Sequence, residues 1–379
     1  MLNSKTEALG IIFPNSYDAM VPDLVSERLM ASIPFASRYR MCDFILSSMV
    51  HSGIDNISII VRKNYHSLLD HLGAGREWDL VRKNGGLNIV PPFAQKQVKV
   101  FEGRIEALES LRGYLLKQPQ KYVIMTDANI AINFDFNELL DAHIKSGADV
   151  TMMYRKQEIP KAFIRQSRDR MDLYYALGMN GDRVSIYINP TEEGEMNFSM
   201  NVYVVEREFL IRMIDDAYVH GHTYFVRDLL DKQIDRLDIR GFCYDGYVVN
   251  IHDTQSYFEE NMRLLQEENL NALFSPNQIY TKIRDDNPTR YINGSKAKNV
   301  MVADGCVIEG EVENSVLFRG VHVGKGAKVK NCVLMQDTVV EDNASVEYVI
   351  TDKNVRVTEG KSLTGNESYQ VYVSKGQVV

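Results

Sequence analysis

The chain has 379 residues, of which 45% are hydrophobic and 25% carry charged side chains. At roughly 150 residues per domain, this length predicts one large and one smaller domain with enough apolar side chains to bury a core. The net charge of −8 has the wrong sign for neutralising the phosphates of nucleic acids, so DNA- and RNA-binding proteins are disfavoured.

The N-terminal segment and the cysteines predict a cytoplasmic protein. The longest apolar stretch, residues 8–13, is too short to cross a bilayer, and the residues before it form neither a signal core nor a cleavage site. The four cysteines, Cys42, Cys243, Cys306 and Cys332, are far apart and include no C-x-x-C pair. We therefore expect small buried thiols in a reducing compartment, without a disulfide or a zinc site.

Short apolar runs alternate with amphipathic helical patterns from residue 9 to about residue 265. The runs have the length and the β-branched content of strands, and the segments between them repeat apolar side chains every three or four residues, as helices do. The predicted strands are residues 57–61, 122–125, 150–154 and 200–205, and the predicted helices are residues 43–51, 104–117 and 136–145. This alternation predicts a Rossmann-like α/β domain with a mostly parallel sheet covered on both faces.

The C-terminal part of the chain follows a different pattern. After a further helical stretch and a segment rich in proline, asparagine and charge, small aliphatic residues recur at every sixth position. The residues at this step are Val321, Ala327, Val333, Val339 and Ser345. Such a step predicts a left-handed parallel β-helix built from hexapeptide repeats, with the repeated side chain pointing inward.

The domain boundaries follow from these patterns. We expect an α/β domain over residues 1–265, a linker over residues 266–290 and the β-helix over residues 291–379. The register slips between Ile308 and Val321, which are 13 residues apart, so the solenoid needs an inserted residue there. A small β-sandwich of short strands is the alternative for this region.

The first βα turn, residues 9–19, is where an open α/β sheet would hold a phosphate. It contains one glycine and no basic residue. A loop that carries Ile, Phe and Pro in place of glycines does not let backbone N–H groups close around a triphosphate. This turn is therefore a poor candidate for a phosphate-binding loop.

Several long motifs, in the same order along the chain, resemble the sugar-nucleotide pyrophosphorylases, and specifically the glucose-1-phosphate adenylyltransferase family. The resemblance spans nearly the whole chain, including the β-helix. The matching segments are residues 31–54 (ASIPFASRYRMCDFILSSMVHSGI), 71–80 (HLGAGREWDL), 86–92 (GLNIVPP), 199–204 (SMNVYV), 246–247 (GY) and 256–262 (SYFEENM).

The resemblance implies a nucleotidyltransferase, in which the phosphate of glucose 1-phosphate attacks the α-phosphate of ATP, releases diphosphate and gives ADP-glucose. In this family two aspartates hold Mg²⁺, whose charge stabilises the reacting phosphate oxygens. When the neighbouring motifs are aligned, these positions are Asn129 and Asn250 in this chain. An amide offers an oxygen without a negative charge, so no metal site is expected here.

Further departures from the family pattern lie in the same pocket. Met30 and Asn189 replace lysines, the second of which holds the sugar phosphate in the family. Phe101 replaces a tyrosine that contacts the nucleotide, and Gly103 opens a Gly-Arg-Ile-Glu segment where the family has Gly-Thr-Ala-Asp. Together with Ser199, Phe101 and Gly103 are thus expected to remain as a vestigial substrate pocket without catalytic residues.

This pattern resembles the non-catalytic D-type subunit of the family, which regulates a catalytic paralogue in glycogen biosynthesis. It implies a hetero-oligomer with that paralogue, in all a tetramer, with Mg²⁺ in the partner and no cofactor bound by this chain. Two alternatives stay open. The chain could be an active adenylyltransferase with Asp127, two residues before Asn129 and on the same side of a strand, as metal ligand. It could also be a non-catalytic sensor of sugar nucleotides.

Overall fold

The computed structural model describes residues 7–14, 16–91, 103–158, 174–188 and 194–379. The internal contacts of the chain divide it into two compact units. The first unit consists of Met1–Tyr17, Ile45–Ile130 and Phe134–Gly246, and the second consists of Asp18–Phe44, Ala131–Asn133 and Tyr247–Val379. The chain therefore passes from one unit to the other several times.

The helices and strands are numbered along the chain. The α-helices within the described ranges are α1 (Met41–His51), α2 (His66–Leu72), α3 (Arg104–Leu115), α4 (Phe136–Ser146), α5 (Arg207–Val219), α6 (Thr254–Arg263) and α7 (Glu267–Phe274). The first thirteen strands are β1 (Ala8–Phe13), β2 (Pro34–Phe35), β3 (Tyr39–Arg40), β4 (Asn56–Ile60), β5 (Gly86–Val90), β6 (Tyr122–Asp127), β7 (Ile130–Ala131), β8 (Val150–Glu158), β9 (Tyr175–Asn180), β10 (Arg183–Ile188), β11 (Glu195–Glu206), β12 (Ile239–Cys243) and β13 (Val249–Asn250). The others are β14 (Arg290–Tyr291), β15 (Lys296–Val302), β16 (Val307–Ile308), β17 (Glu311–Leu317), β18 (His322–Val323), β19 (Lys328–Lys330), β20 (Val333–Leu334), β21 (Val339–Val340), β22 (Ser345–Glu347), β23 (Val349–Thr351), β24 (Arg356–Val357), β25 (Ser362–Thr364) and β26 (Val371–Val373).

The first unit contains a nine-stranded sheet in the order β5-β4-β1-β6-β11-β8-β12-β10-β9. Strands β5, β4, β1 and β6 are parallel, as the alternating pattern predicts. Beyond β6 the sheet is mixed, because β11 runs antiparallel to both β6 and β8, and β9 and β10 form an antiparallel pair. The sheet is thus parallel from β5 to β6 and mixed beyond, where β8 and β12 form a further parallel pair.

Helices cover the sheet of the first unit with apolar side chains. Helix α4 packs on β8, β11 and β12, and α3 packs on α5. Leu9, Ile105, Leu108, Leu210 and Ile214 are fully buried in one hydrophobic cluster with the sheet. The predicted helices over residues 104–117 and 136–145 are therefore present, and they bury the faces that their apolar spacing indicated.

The second unit contains the predicted left-handed β-helix. Strands β14 to β26 pair in parallel with the strands one coil earlier and later. Valines and small residues fill its interior in a single cluster. The further helical stretch predicted before the β-helix is also present, as the two helices α6 and α7.

The coils differ from the predicted six-residue register. Val307 pairs with His322, fifteen residues later, whereas His322 pairs with Val339, seventeen residues later. Three hexapeptides would make eighteen, so both of these coils are shortened, and the coil from Ile308 to Val323 lacks three residues instead of carrying the predicted insertion. As a result Val340 and Ala344 are completely buried in place of the predicted Val339 and Ser345.

A buried ion pair ties residues 18–44 into the second unit. Arg28 Nη2 donates to Asp352 Oδ1 at 2.6 Å, and both side chains are nearly inaccessible to solvent. The Tyr372 hydroxyl donates to Asp352 Oδ2 at 3.0 Å. The Tyr257 hydroxyl on α6 donates to the carbonyl oxygen of Pro34 at 2.8 Å. These bonds account for the placement of a segment near the N-terminus with the C-terminal part of the chain.

The thiols agree with the prediction with one exception. All four cysteines are free, and Cys42, Cys306 and Cys332 are buried. Cys243 is exposed, which corrects the expectation that it is buried. It is the last residue of β12, where the strand leaves the sheet.

Candidate functional site

The carboxyl ends of parallel strands β1 and β6 meet at one edge of the sheet in the first unit. Open α/β sheets bind ligands at this edge, so it is the natural position for a site. Phe13, the last residue of β1, pairs with Asp127, the last residue of β6. Asp127 is completely buried there.

Arg104 reaches this edge from the first turn of α3. The helix begins after Gly103, at which a Cβ atom would lie 2.1 Å from the carbonyl oxygen of Thr223. Only glycine fits so close to that backbone. Gly103 thereby fixes the start of α3 and the position from which the Arg104 side chain extends.

The carboxylate of Asp127 has a partner on each oxygen. The Ser16 hydroxyl donates to Oδ1 at 2.7 Å. Arg104 Nη2 donates to Oδ2 and forms an ion pair with it, and the Arg104 side chain is only 16% exposed. The guanidinium carbon lies 4.9 Å from the ring centre of Phe13 and 5.6 Å from that of Tyr203. Arg104 is thus held by charge at its tip and by aromatic rings beside it.

A second group of polar side chains lies next to this pair. The Tyr203 hydroxyl donates to Asn201 Oδ1 at 2.6 Å, and Asn201 Nδ2 donates to the Tyr17 hydroxyl. The backbone N–H of Asn201 donates to Ser199 Oγ at 3.2 Å. Asn201 has a positive φ of 54°, at a point where the register between β11 and β8 shifts. Asparagine tolerates this left-handed conformation better than most residues, which explains its place at the irregularity.

Burial and charge act together on the titratable groups of the site. Burial raises the pKa of Asp127, while the Arg104 guanidinium and the Ser16 hydroxyl work against that rise. Burial also works to lower the pKa of Arg104, but the Asp127 carboxylate raises it above its usual value. Burial raises the pKa of Tyr203 to about 12. The site therefore contains a carboxylate–guanidinium pair surrounded by neutral phenols.

The structure brings only some of the residues singled out in the sequence to this site. Gly103 and Ser199 lie in it, and Asn129 follows β6 in the same unit with 4% of its surface exposed. Met30 and Asn250 belong to the second unit. Met30 is buried, and its backbone N–H donates to Asp18 Oδ1 at 2.8 Å. Phe101 and Asn189 lie outside the described residues.

Sequence reasoning missed the residues that fill the site. These are Arg104, Ser16, Tyr17, Asn201 and Tyr203. The sequence did contain a signal for Arg104. This arginine directly follows a glycine and opens a predicted helix, and such a position lies at the edge of the sheet where ligands bind. A cation is unfavourable at a helix N-terminus unless a carboxylate offsets it. No comparable signal pointed to the two tyrosines, which have the sequence environment of ordinary core residues.

The residues at this edge do not fit a divalent metal ion. Mg²⁺ requires carboxylate oxygens with free lone pairs and room for bound water. Both oxygens of Asp127 are engaged, one by a hydroxyl and one by a guanidinium. A metal ion on Asp127 would also meet the positive charge of Arg104 within bonding distance of the same carboxylate. Asn129 offers only a neutral amide.

No helix in the described part of the chain is long and apolar enough to cross a membrane.

Comparison with known proteins finds matches for both halves of the chain. The family described as nucleotidyl transferase matches residues 23–266, and the family described as GlmU-like, C-terminal hexapeptide matches residues 283–372. The glycogen biosynthesis protein GlgD of Bacillus subtilis (strain 168) is 32% identical over 98% of this chain and 97% of its own length. GlgD of Geobacillus stearothermophilus is 35% identical over 85% and 82%, and the glucose-1-phosphate adenylyltransferase of the same organism is 30% identical over 86% and 84%.

Proposed function

This chain belongs to the nucleotidyl transferase family, in the group of the GlgD proteins and the glucose-1-phosphate adenylyltransferases, and on that premise we propose that it is a catalytically silent, regulatory subunit in glycogen biosynthesis. Its partner is a catalytic paralogue that forms ADP-glucose from ATP and glucose 1-phosphate. The two assemble in the cytoplasm as a hetero-oligomer, with a tetramer as the expected form.

One observation is the main support for the proposal that this chain is catalytically silent. The carboxylate at the carboxyl end of β6, that of Asp127, is already paired with Arg104. Nucleotidyl transfer places negative charge on phosphate oxygens, and catalysts offset it with a metal ion and with cations that are free to contact the phosphates. Here the cation is committed to a carboxylate, and a metal ion on that carboxylate would meet the positive charge of Arg104.

Two further features support the same proposal. Asn129 and Asn250 each offer an amide where the resemblance implies a metal-binding aspartate. The first βα connection follows β1, whose six buried residues include Gly10, the one glycine of the predicted turn, so the connection itself up to α1 has no glycine. Such a connection is poorly suited to close a row of backbone N–H groups around a triphosphate. Loss of a single electrostatic contact in a transition state typically lowers the rate by about a hundredfold or more.

The test is a pair of activity assays with the purified chain, alone and mixed with its catalytic paralogue. We expect no formation of ADP-glucose above background from the chain alone. In the mixture we expect a complex of defined mass and a change in the turnover or effector response of the paralogue. The paralogue alone is the control for the mixed assay.

Two results would contradict the proposal. One is turnover by the isolated chain in the range of about 1–1,000 per second that is typical of enzymes. The other is a chain that stays monomeric at micromolar concentration in the presence of the paralogue and leaves its kinetics unchanged.

A further inference from the structure

Arg104 is an unusual residue for a pocket at the carboxyl edge of an α/β sheet. It is mostly buried, it stands in the first turn of a helix and its guanidinium carbon lies over the rings of Phe13 and Tyr203. A cation so placed is desolvated and lies at the positive end of the α3 dipole. Its position is favourable only because Asp127 supplies a negative charge in contact with it.

The contacts of Arg104 match the geometry that a guanidinium prefers. Its tip donates to a carboxylate oxygen, and its guanidinium carbon lies over the rings of Phe13 and Tyr203. A planar guanidinium accepts both kinds of contact at once, whereas the ammonium group of lysine is a compact charge without a flat face. The site is therefore built for arginine in particular and not for positive charge in general.

We infer that Arg104 is the resident cation of this edge of the sheet. It balances the charge of Asp127 in the way that a bound divalent ion would in a nucleotide site, and it joins α3 to β1, β6 and β11 through groups of the chain itself. The inference deepens the proposed function and rests on it for the expectation that no metal–nucleotide complex enters here. Its test measures the stability and ion binding of the isolated chain, so its failure is distinct from a failure of assembly or of silence.

The energetics of a buried pair give this role a distinctive signature. Removal of one partner leaves the other charge buried and uncompensated, which is strongly destabilising. Removal of both charges together avoids that penalty. A guanidinium that merely filled space would give losses that add, whereas a charge-balancing one gives a double variant that is more stable than the two single losses predict.

The first experiment compares melting temperatures of the purified full chain and its variants. We expect Arg104→Met to lower the melting temperature by roughly 10 °C and Arg104→Lys to lower it by less. The matched control is Arg112→Met, because Arg112 lies on the same helix and pairs with Asp215, but with both side chains about 40% exposed. A loss of less than about 3 °C is expected there.

The double variant Arg104→Met/Asp127→Asn completes the cycle. Its loss should be smaller than the sum of the losses of the two single variants. The inference is overturned if Arg104→Met is no more destabilising than Arg112→Met, or if the losses of the two single variants add. Should Arg104→Met not fold, the comparison of Asp127→Asn with Asp215→Asn, which removes the charge of the other partner in each ion pair, replaces it.

The second experiment titrates Mn²⁺ into the wild-type chain and the Asp127→Asn variant, followed by electron paramagnetic resonance of the free ion. Because Arg104 already occupies the carboxylate, we expect the two titrations to coincide. Saturable Mn²⁺ binding by the wild-type chain that disappears in Asp127→Asn would overturn the inference, since it would show that Asp127 is open to a metal.

Discussion

At the scale of single residues, Gly103 determines where α3 begins. A Cβ atom at this position would approach the Thr223 carbonyl oxygen to 2.1 Å, far inside any tolerated contact, and the atom it meets is backbone. Gly103→Ala must therefore displace either the start of α3 or the loop that contains Thr223. We expect a loss of roughly 2–3 kcal/mol in the free energy of unfolding, measured by chemical denaturation.

Gly113 provides a matched control on the same helix. It lies inside α3, and a Cβ atom there would meet nothing within 4 Å. Alanine is preferred to glycine in a helix interior, so Gly113→Ala should stabilise the chain by about 0.5–1 kcal/mol. Opposite signs for the two substitutions are expected, and equal effects would show that the close approach at Gly103 is not a constraint.

The buried side chain of His143 should make the free energy of unfolding depend on pH. Its Nδ1 lies 2.8 Å from Thr151 Oγ1, and its ring packs edge-on against Tyr122. Burial lowers its pKa to about 4. In the unfolded chain the pKa of histidine is near 6.5. At pH values between about 6.5 and 4, the unfolded chain therefore binds a proton that the folded chain does not. Stability should therefore fall as the pH drops from about 6.5 to 4, by at most about 3 kcal/mol.

The measurement is urea unfolding at several pH values. His143→Gln should flatten the profile between pH 6.5 and 4.5, because the titrating group is gone. His66→Gln makes the same substitution at an exposed histidine and is the control for the change of side chain. A wild-type profile that already matches that of His143→Gln would contradict the prediction.

The sequence reveals departures from a family motif more readily than contacts that only the fold creates. Asn129 and Met30 stand out along the chain as departures from a motif. The contacts of Arg104 with Asp127 do not, because they join residues 23 positions apart whose approach depends on how α3 lies against β6. Similarly, Tyr17 and Asn201 meet across 184 positions.

At the scale of elements, the periodicity of the sequence predicts the architecture of the β-helix but not its exact inward register. The recurrence of small aliphatic residues correctly predicted a parallel solenoid. The exact inward register failed at Val339, because a coil of seventeen residues shifts the inward position by one relative to three full hexapeptides. Where two valines are adjacent, as at Val339 and Val340, the apolar pattern does not show which of them points inward. The sequence therefore does not reveal that one side of the coil is a residue short.

The adjacent valines of β21 test this register. Val340 pairs with Val323 and Val357, and all three are completely buried. Val339 pairs with His322 and Arg356 and is partly exposed. We expect Val340→Ala to lower the free energy of unfolding by about 2 kcal/mol and Val339→Ala to lower it by less than about 1 kcal/mol. The reverse order, measured by denaturation, would support the six-residue register instead.

At the scale of the whole molecule, the compact units and the two family matches divide the chain differently. The nucleotidyl transferase match runs over residues 23–266, yet Asp18–Phe44 belongs to the same unit as the β-helix. Local patterns could predict both architectures, because each is encoded in short-range periodicity. They could not predict that Asp18–Phe44 belongs to the unit of the β-helix, since this depends on contacts such as that of Arg28 with Asp352, which are 324 positions apart.

The place of residues 18–44 in the second unit predicts that this segment does not reach its native state without the β-helix. A shortened chain that ends at Lys282 contains Arg28 but not Asp352 or Tyr372, the groups that surround its charge. An arginine that is 3% exposed in the full chain would then have to stay buried without a counter-ion, or leave its place. The second outcome is favoured, because an unpaired buried charge is destabilising by several kcal/mol.

We therefore expect trypsin to cut after Arg28 in the shortened chain under conditions in which the full chain resists cleavage there, as followed by mass spectrometry. Arg82, a partly exposed residue of the first unit, serves as the internal reference, because its rate of cleavage should be similar in both chains. Protection of Arg28 in the shortened chain would show that residues 18–44 reach their native state without the β-helix.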